Sequence, residues 1–185
     1  MKDLSLHLLD IAQNSLTASA TAITINLEVS GDTLIFDVID NGKGMSSELV
    51  AKVIDPFTTT RTTRNVGLGI PLLKQSAEIA AGNLSIESQL GKGTHIKATF
   101  ELKHIDRIPV GDFAGAIKML IAAHPEVEWE IKLLNNGESF ILDTREVKQH
   151  LDGLPIGHPD VLEWIQKTLA EAILSLFGGV LDEIT

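Results

Sequence analysis

Apolar residues recur at helical spacing in some segments of the first hundred positions and alternate with polar residues in others. Leu4, Leu8 and Ile11 stand three or four residues apart, which predicts a helix, whereas residues 22–29 alternate as a half-buried strand does. By these criteria the predicted elements are helices over residues 4–18, 47–54 and 68–81, and strands over residues 22–29, 33–39, 84–89 and 94–103. Their order predicts an α/β (α+β) two-layer sandwich, in which helices cover one face of a mixed β-sheet.

The second half of the chain has its own pattern of elements. Asn135-Asn136-Gly137 separates two short runs and predicts a hairpin, because Asn-Gly supplies the positive φ angles of a type I′ turn. The elements predicted around it are helices over residues 112–123, 144–151 and 159–177, and strands over residues 128–134 and 138–142. We therefore expect a domain over residues 1–103, followed by a small α+β domain over residues 104–185 that is suited to docking a partner.

The balance of acidic and basic residues also changes near residue 103. Residues 1–103 carry 9 Lys+Arg and 11 Asp+Glu, whereas residues 104–185 carry 6 and 14, a net charge of −8. This acidic half argues against nucleic-acid binding, which needs clustered basic residues. With no cysteine in 185 residues there is no disulfide framework, and no apolar run approaches the ~20 residues of a membrane span. We expect a cytoplasmic protein that binds neither nucleic acid nor membrane.

Three short elements in the first half carry candidate chemistry. Asp10 and Asn14 lie one helical turn apart, so a carboxylate able to take a proton is beside an amide oxygen suited to Mg²⁺. Asp40 follows a buried strand and can accept a hydrogen bond from an exocyclic amine such as that of adenine. Gly42 and Gly44 after it let the backbone turn sharply. Taken singly, the first pair also fits an exposed polar helix face, and the second element a glycine-rich turn.

The third element, Val66-Gly67-Leu68-Gly69-Ile70, begins a predicted helix. Glycines there leave backbone N–H groups exposed at the positive end of the helix, which suits a phosphate group. Arg61 and Arg64, in the polar segment before it, and Lys74, one turn into the helix, can add positive charge.

In combination these motifs resemble the ATP-binding domain of the GHKL superfamily (the Bergerat fold of histidine kinase-like ATPases) over about residues 3–103. HLLDIAQNSLTASAT is similar to the family's N box, DNGKGM to its G1 box, DPFTTTR to its F box, NVGLGIPLLK to its G2 box and GKGTHIKATF to its last strand. The pairing of DPFTTTR with GLGI is most similar to histidine kinases and anti-sigma-factor kinases.

The resemblance implies ATP and Mg²⁺ as ligands. It implies that Asn14 holds the metal, that Asp40 binds the adenine amine with help from Thr94, and that Phe57 packs at the base of a lid. It assigns the adenine pocket and the phosphate donors to Gly42, Gly44, Gly67, Leu68 and Gly69. Asp10 stands where hydrolysing members carry Glu, so a role as the catalytic base is expected of it.

One departure from the histidine kinases decides the functional hypothesis. No histidine of the sequence is directly followed by Glu or Asp and then by Arg and Pro, as in a phosphoacceptor motif, and its six histidines are interpreted as surface or capping residues. We therefore expect a kinase that transfers the γ-phosphoryl group of ATP to a separate protein in trans, in signalling or regulation. A nucleotide-gated protein-binding module and a slow ATPase are the alternatives, and a homodimer is compatible with each.

Overall fold

The computed structural model describes residues 2–54 and 68–181. Helices and strands follow the chain in the predicted order and with nearly the predicted limits. The helices are α1 (Leu4–Thr17), α2 (Ser47–Ile54), α3 (Gly69–Ile79), α4 (Phe113–Ala123), α5 (Thr144–Gln149) and α6 (Pro159–Phe177). The strands are β1 (Ala22–Ser30), β2 (Thr33–Asp40), β3 (Asn83–Gln89), β4 (Gly93–Glu101), β5 (Glu128–Asn135) and β6 (Glu138–Asp143).

The described strands form one mixed sheet of six, in the order β3-β4-β2-β1-β5-β6. β1 and β5 are parallel, and every other neighbouring pair is antiparallel. The register across β2 and β4 sets Asp40 opposite Thr94, which brings two predicted site residues side by side at one end of the sheet.

Helices cover one face of the sheet. Along β1, Ile23, Ile25 and Leu27 are buried against them, while Thr24 and Asn26 on the opposite face are partly exposed. This two-residue alternation follows from the pleat of a strand and confirms the predicted two-layer architecture with a mixed sheet. No helix within residues 2–54 and 68–181 has both the length and the apolar content needed to cross a membrane.

The strands of the second half extend the sheet of the first half. β5 pairs with β1 from Ala22↔Glu128 to Val29↔Asn135, and Trp129 is buried in the common core. The first turn of α1 is hydrogen bonded to the segment before α4, from the Leu4 N–H to the Pro109 carbonyl at 2.9 Å. The change in charge balance near residue 103 therefore falls between strands of one continuous sheet. That residues 1–103 and 104–185 fold as separate domains stays a prediction.

Candidate functional site

A cavity of about 310 Å³ lies among α1, α2, the beginning of α3 and the ends of β2 and β4. Its walls are mainly apolar, as in pockets that hold flat organic rings, with a few polar groups among them. The lining residues are Ile11, Asn14, Ser15, Thr17, Ala18, Asp40, Lys43, Gly44, Met45, Leu49, Val53, Ile70, Thr94 and Ile96.

Asp40 is the buried carboxylate of this cavity, with 8% of its surface exposed. Its Oδ1 accepts a hydrogen bond from the Gly42 N–H at 2.8 Å, and its Oδ2 accepts one from the Ser15 hydroxyl at 2.7 Å. Each carboxylate oxygen has a second lone pair, so Asp40 is fixed in orientation and can still accept a hydrogen bond from a ligand amine.

Thr94 lies beside Asp40 and is held through Ser88. The Ser88 hydroxyl accepts the Met45 N–H at 2.8 Å, lies 2.9 Å from the Gly93 carbonyl, and lies 2.9 Å from the Thr94 hydroxyl. These contacts tie β3, β4 and the loop after β2 into one wall of the cavity. They also hold the Thr94 side chain in place opposite Asp40 on the neighbouring strand.

The loop after Asp40 depends on glycine at position 44. Gly44 has φ +66°, and a Cβ there would overlap the carbonyl oxygen of Gln89, so a larger residue meets both backbone strain and a collision. Asn41 anchors the same loop, because its side-chain oxygen accepts the Thr21 N–H at 2.8 Å and the Ala22 N–H at 3.0 Å. These contacts hold the loop in a fixed position at the edge of the cavity.

Asn14 and Asp10 project from one side of α1. Asn14 lines the cavity and is partly exposed, while Asp10, one turn earlier, is exposed and does not belong to the cavity lining. The donor set fits Mg²⁺, which binds through one or two protein oxygens together with water and substrate phosphates. Within the described ranges no cluster of three or more Asp, Glu, His or Cys residues forms a separate metal site.

The N-terminus of α3 faces the same end of α1. Gly69 is buried and packs so closely on Asp10 that a Cβ at this position would overlap the carboxylate. Leu68 precedes the helix with 67% of its surface exposed, and no side chain within the described ranges caps the first turn. The first N–H groups of α3 are consequently available to an anion.

The structure does not bring Lys74, another predicted phosphate ligand, to the cavity. Lys74 is absent from the described lining of the cavity, and its Nζ lies 3.7 Å from Glu78 Oε1. Its contribution to phosphate binding stays a prediction. Phe57, Arg61, Arg64 and Gly67 lie outside the described residues.

His7 differs from its sequence-based interpretation as a surface or capping residue. It is fully buried on α1, so that interpretation is wrong for this position, whereas His158 does cap α6 by accepting the Asp160 N–H. Burial lowers the pKa of His7 to about 4, although the nearby Gly69 backbone and the carboxylates of Asp10 and Asp3 favour its charged form. The imidazole is therefore neutral at pH 7.

Two serines of the site were missed by the sequence analysis. Ser15 falls within the helix predicted over residues 4–18 and Ser88 within the strand predicted over residues 84–89, and neither prediction gives the serine a role in the site. One feature of the sequence could have pointed to Ser15, because it follows Asn14 directly and lies on the buried side of α1. Its hydrogen bond with Asp40 depends on tertiary packing and has no signal in local sequence.

Comparison with known proteins gives a family for the part of the chain that forms the cavity. The family described as "Histidine kinase-, DNA gyrase B-, and HSP90-like ATPase" matches residues 2–104. The chain is 31% identical over 94 residues to "Sporulation kinase D" of Bacillus subtilis, which covers 50% of this chain and 18% of that protein. It is 31% identical over 120 residues to the "Non-motile and phage-resistance protein" of Caulobacter vibrioides, which covers 59% of this chain and 14% of that protein.

A solved structure shares the fold over a longer part of the chain. The structure "Crystal Structure of N terminal domain of a DNA repair protein" is similar over 77% of this chain and 53% of that chain, with a TM-score of 0.54 and 14% identity. At that identity the similarity concerns the fold alone. The chain spans less than a fifth of the length of the two curated relatives named above.

Proposed function

The chain belongs to the histidine kinase-, DNA gyrase B- and HSP90-like ATPase family, and on that basis we propose that it binds ATP in the cavity and transfers the γ-phosphoryl group to a separate protein. One observation carries the proposal. The cavity combines a buried, doubly hydrogen-bonded Asp40 with a nearby α3 N-terminus that no described side chain caps, which suits a ligand with an amine at one end and phosphates at the other.

Adenine occupies the apolar part of the cavity in this proposal. Its exocyclic amine donates to Asp40, whose carboxylate is oriented by Ser15 and Gly42, and Thr94 binds the ring edge beside it. Ile11, Met45 and Ile96 exclude water from the ring faces. A hydrogen bond to a buried carboxylate contributes about 1.5–3 kcal/mol, enough to select adenine over a base that presents an acceptor at that position.

The phosphates extend from the adenine site toward Asn14 and the beginning of α3. The N–H groups of the first turn of α3 donate to them, and Asn14 holds Mg²⁺ through its amide oxygen. Bound Mg²⁺ supplies charge neutralisation at the β- and γ-phosphates. Asp10 is assigned to the end of the phosphate chain in this proposal, and its close packing on Gly69 at the beginning of α3 supports that assignment.

Transfer then proceeds by in-line displacement. The acceptor nucleophile forms a bond to the γ-phosphorus as the bond from that phosphorus to the β-phosphate bridging oxygen breaks, and ADP leaves. Asp10 takes the proton of the acceptor, since it is an exposed carboxylate that packs on Gly69 at the beginning of α3. The similarity to a protein named "Sporulation kinase D" supports transfer rather than binding alone.

A transfer experiment with γ-labelled ATP tests this function. The purified chain is incubated with labelled ATP and Mg²⁺, alone and with cell extract, and both labelled protein and free phosphate are measured. We expect acid-labile label on a protein of the extract, and we expect Asp10→Asn to lower transfer at least about tenfold at saturating ATP while ATP affinity changes less than about threefold.

Two results would contradict the proposal and select between the alternatives. Bound nucleotide with neither labelled protein nor released phosphate would indicate a nucleotide-gated binding module. Released phosphate without labelled protein would indicate a slow ATPase.

A further inference from the structure

His7 is the one fully buried histidine in the described part of the chain, and it lies at the junction of α1 and α3. Within residues 2–54 and 68–181 neither of its ring nitrogens makes a hydrogen bond of normal geometry. An imidazole buried in this way costs free energy relative to a leucine or phenylalanine of similar size, because its polar atoms have lost water without gaining partners. Packing alone therefore does not account for a histidine at this position.

The neighbours of His7 belong to the cavity. Ile11, one helical turn after His7 on α1, and Ile70, next to Gly69 on α3, both line it. The Gly69 backbone lies close enough to the imidazole to favour its charged form, and the Asp10 carboxylate packs on the same glycine. His7 and Asp10 thus approach Gly69 together from two successive turns of α1.

We propose that His7 is a positioning residue of the phosphate site, which sets the distance and orientation of the α3 N-terminus relative to Asp10. The inference rests on the proposed function, because it concerns the same nucleotide site. A neutral imidazole offers one N–H donor and one lone pair, so it can hold a backbone group of Gly69 as α3 adjusts to the γ-phosphate. An apolar ring of the same shape fills the space without that directional contact.

This role predicts that fold and function respond in opposite directions to an apolar replacement. His7→Phe and His7→Leu remove the unpartnered nitrogens, so the fold is expected to be as stable as the wild type or more stable. The same variants cannot form a hydrogen bond to the Gly69 backbone when the γ-phosphate is bound, so the affinity gained from the γ-phosphate is expected to fall. A purely structural histidine would show the reverse, a loss of stability with an unchanged γ-phosphate contribution.

The test compares ATP and ADP affinity of the full chain by calorimetry in the presence of Mg²⁺, together with turnover at saturating ATP. We expect His7→Phe and His7→Leu to lower the ratio of ATP to ADP affinity, and the turnover, at least about tenfold, with ADP affinity within about threefold of the wild type. His7→Asn, which restores a donor and an acceptor, is expected to recover part of that loss. Leu4→Ala serves as the matched control, because Leu4 is equally buried on α1 but lies at its first turn, where the Leu4 N–H binds Pro109.

Three outcomes decide the proposal. An unchanged ATP to ADP ratio and turnover in both apolar variants overturns it, and so does a loss that matches Leu4→Ala in stability and in ADP affinity. If the wild type binds no nucleotide, the proposed function fails and this inference fails with it. If the wild type binds nucleotide and the apolar variants behave as the wild type does, only the role of His7 fails.

Discussion

Replacing His7 with phenylalanine is expected to change how the stability of the fold depends on pH. The pKa of His7 is lowered from 6.5 to about 4 by burial, so the folded chain holds the imidazole neutral while the unfolded chain protonates it below pH 6.5. Between those two values the folded state binds fewer protons than the unfolded state. The free energy of unfolding therefore falls as pH drops from 6.5 to 4, and it is independent of this group above about pH 7.

The magnitude follows from the size of the shift. Each pKa unit corresponds to about 1.4 kcal/mol, so a shift from 6.5 to about 4 corresponds to about 3 kcal/mol between the two ends of the range. His7→Phe removes this term, and it also removes two unpartnered polar atoms. At pH 7 the variant should equal or exceed the wild type by up to about 3 kcal/mol, and near pH 4 the difference should grow by a further 3 kcal/mol or so.

Urea unfolding of both proteins at half-unit steps from pH 7.5 to pH 4 measures this difference. Carboxylates titrate in the same range in both proteins, so the difference between the two curves isolates the histidine. A constant difference across the whole range would refute the reasoning, since it would mean that His7 titrates alike in the folded and unfolded chains. A difference that shrinks toward low pH would mean that the folded state favours the charged imidazole.

The remaining predictions concern the cavity and the sheet. Ser15→Ala should weaken ATP binding about tenfold by calorimetry, because it removes a hydrogen bond of about 1.4 kcal/mol that orients Asp40; unchanged affinity would contradict this role. Gly44→Ala should lower the free energy of unfolding by about 3 kcal/mol or more. Gly31→Ala is the control and should lower it by about 1 kcal/mol, because Gly31 has a similar positive φ but open space for a Cβ. Equal losses in the two variants would contradict the collision at Gly44. A fragment of residues 1–103 should unfold cooperatively by circular dichroism, but at a lower urea concentration than the full chain, because β1 loses β5 as its partner; the absence of a transition would contradict the domain division at residue 103.

Element limits could be predicted because they depend on local periodicity. The helix over residues 159–177 was predicted at the limits that the structure has, and β1 within one residue of its end. The parallel pairing of β1 with β5 could not be predicted in the same way. It joins segments that lie about a hundred residues apart, and nothing in either strand specifies its partner.

The residues of the site show the same difference between local and long-range features. Asp40, Gly44 and Thr94 could be identified because they belong to motifs of contiguous residues. Ser15 and His7 could not, because each acts through an element brought close only by folding: β2 for Ser15 and α3 for His7. The sequence predicts a surface or capping position for His7 and gives Ser15 no role beyond its place in a helix, because local spacing does not show which distant element a side chain meets.

The central claim is that Asp40 binds the adenine of ATP, and an equilibrium titration of ATP into the full chain with Mg²⁺ tests it most directly. Asp37 provides a matched control, since it is a similarly buried carboxylate on the same strand, where it accepts the Asn26 side-chain N–H at 2.6 Å on the opposite face of the sheet. Asp40→Asn replaces an acceptor with a donor and should weaken binding by about 1.5–3 kcal/mol, roughly tenfold to a hundredfold, while Asp37→Asn should leave affinity within about threefold. Equal affinity of the wild type and Asp40→Asn, or equal losses in the two variants, would contradict the account.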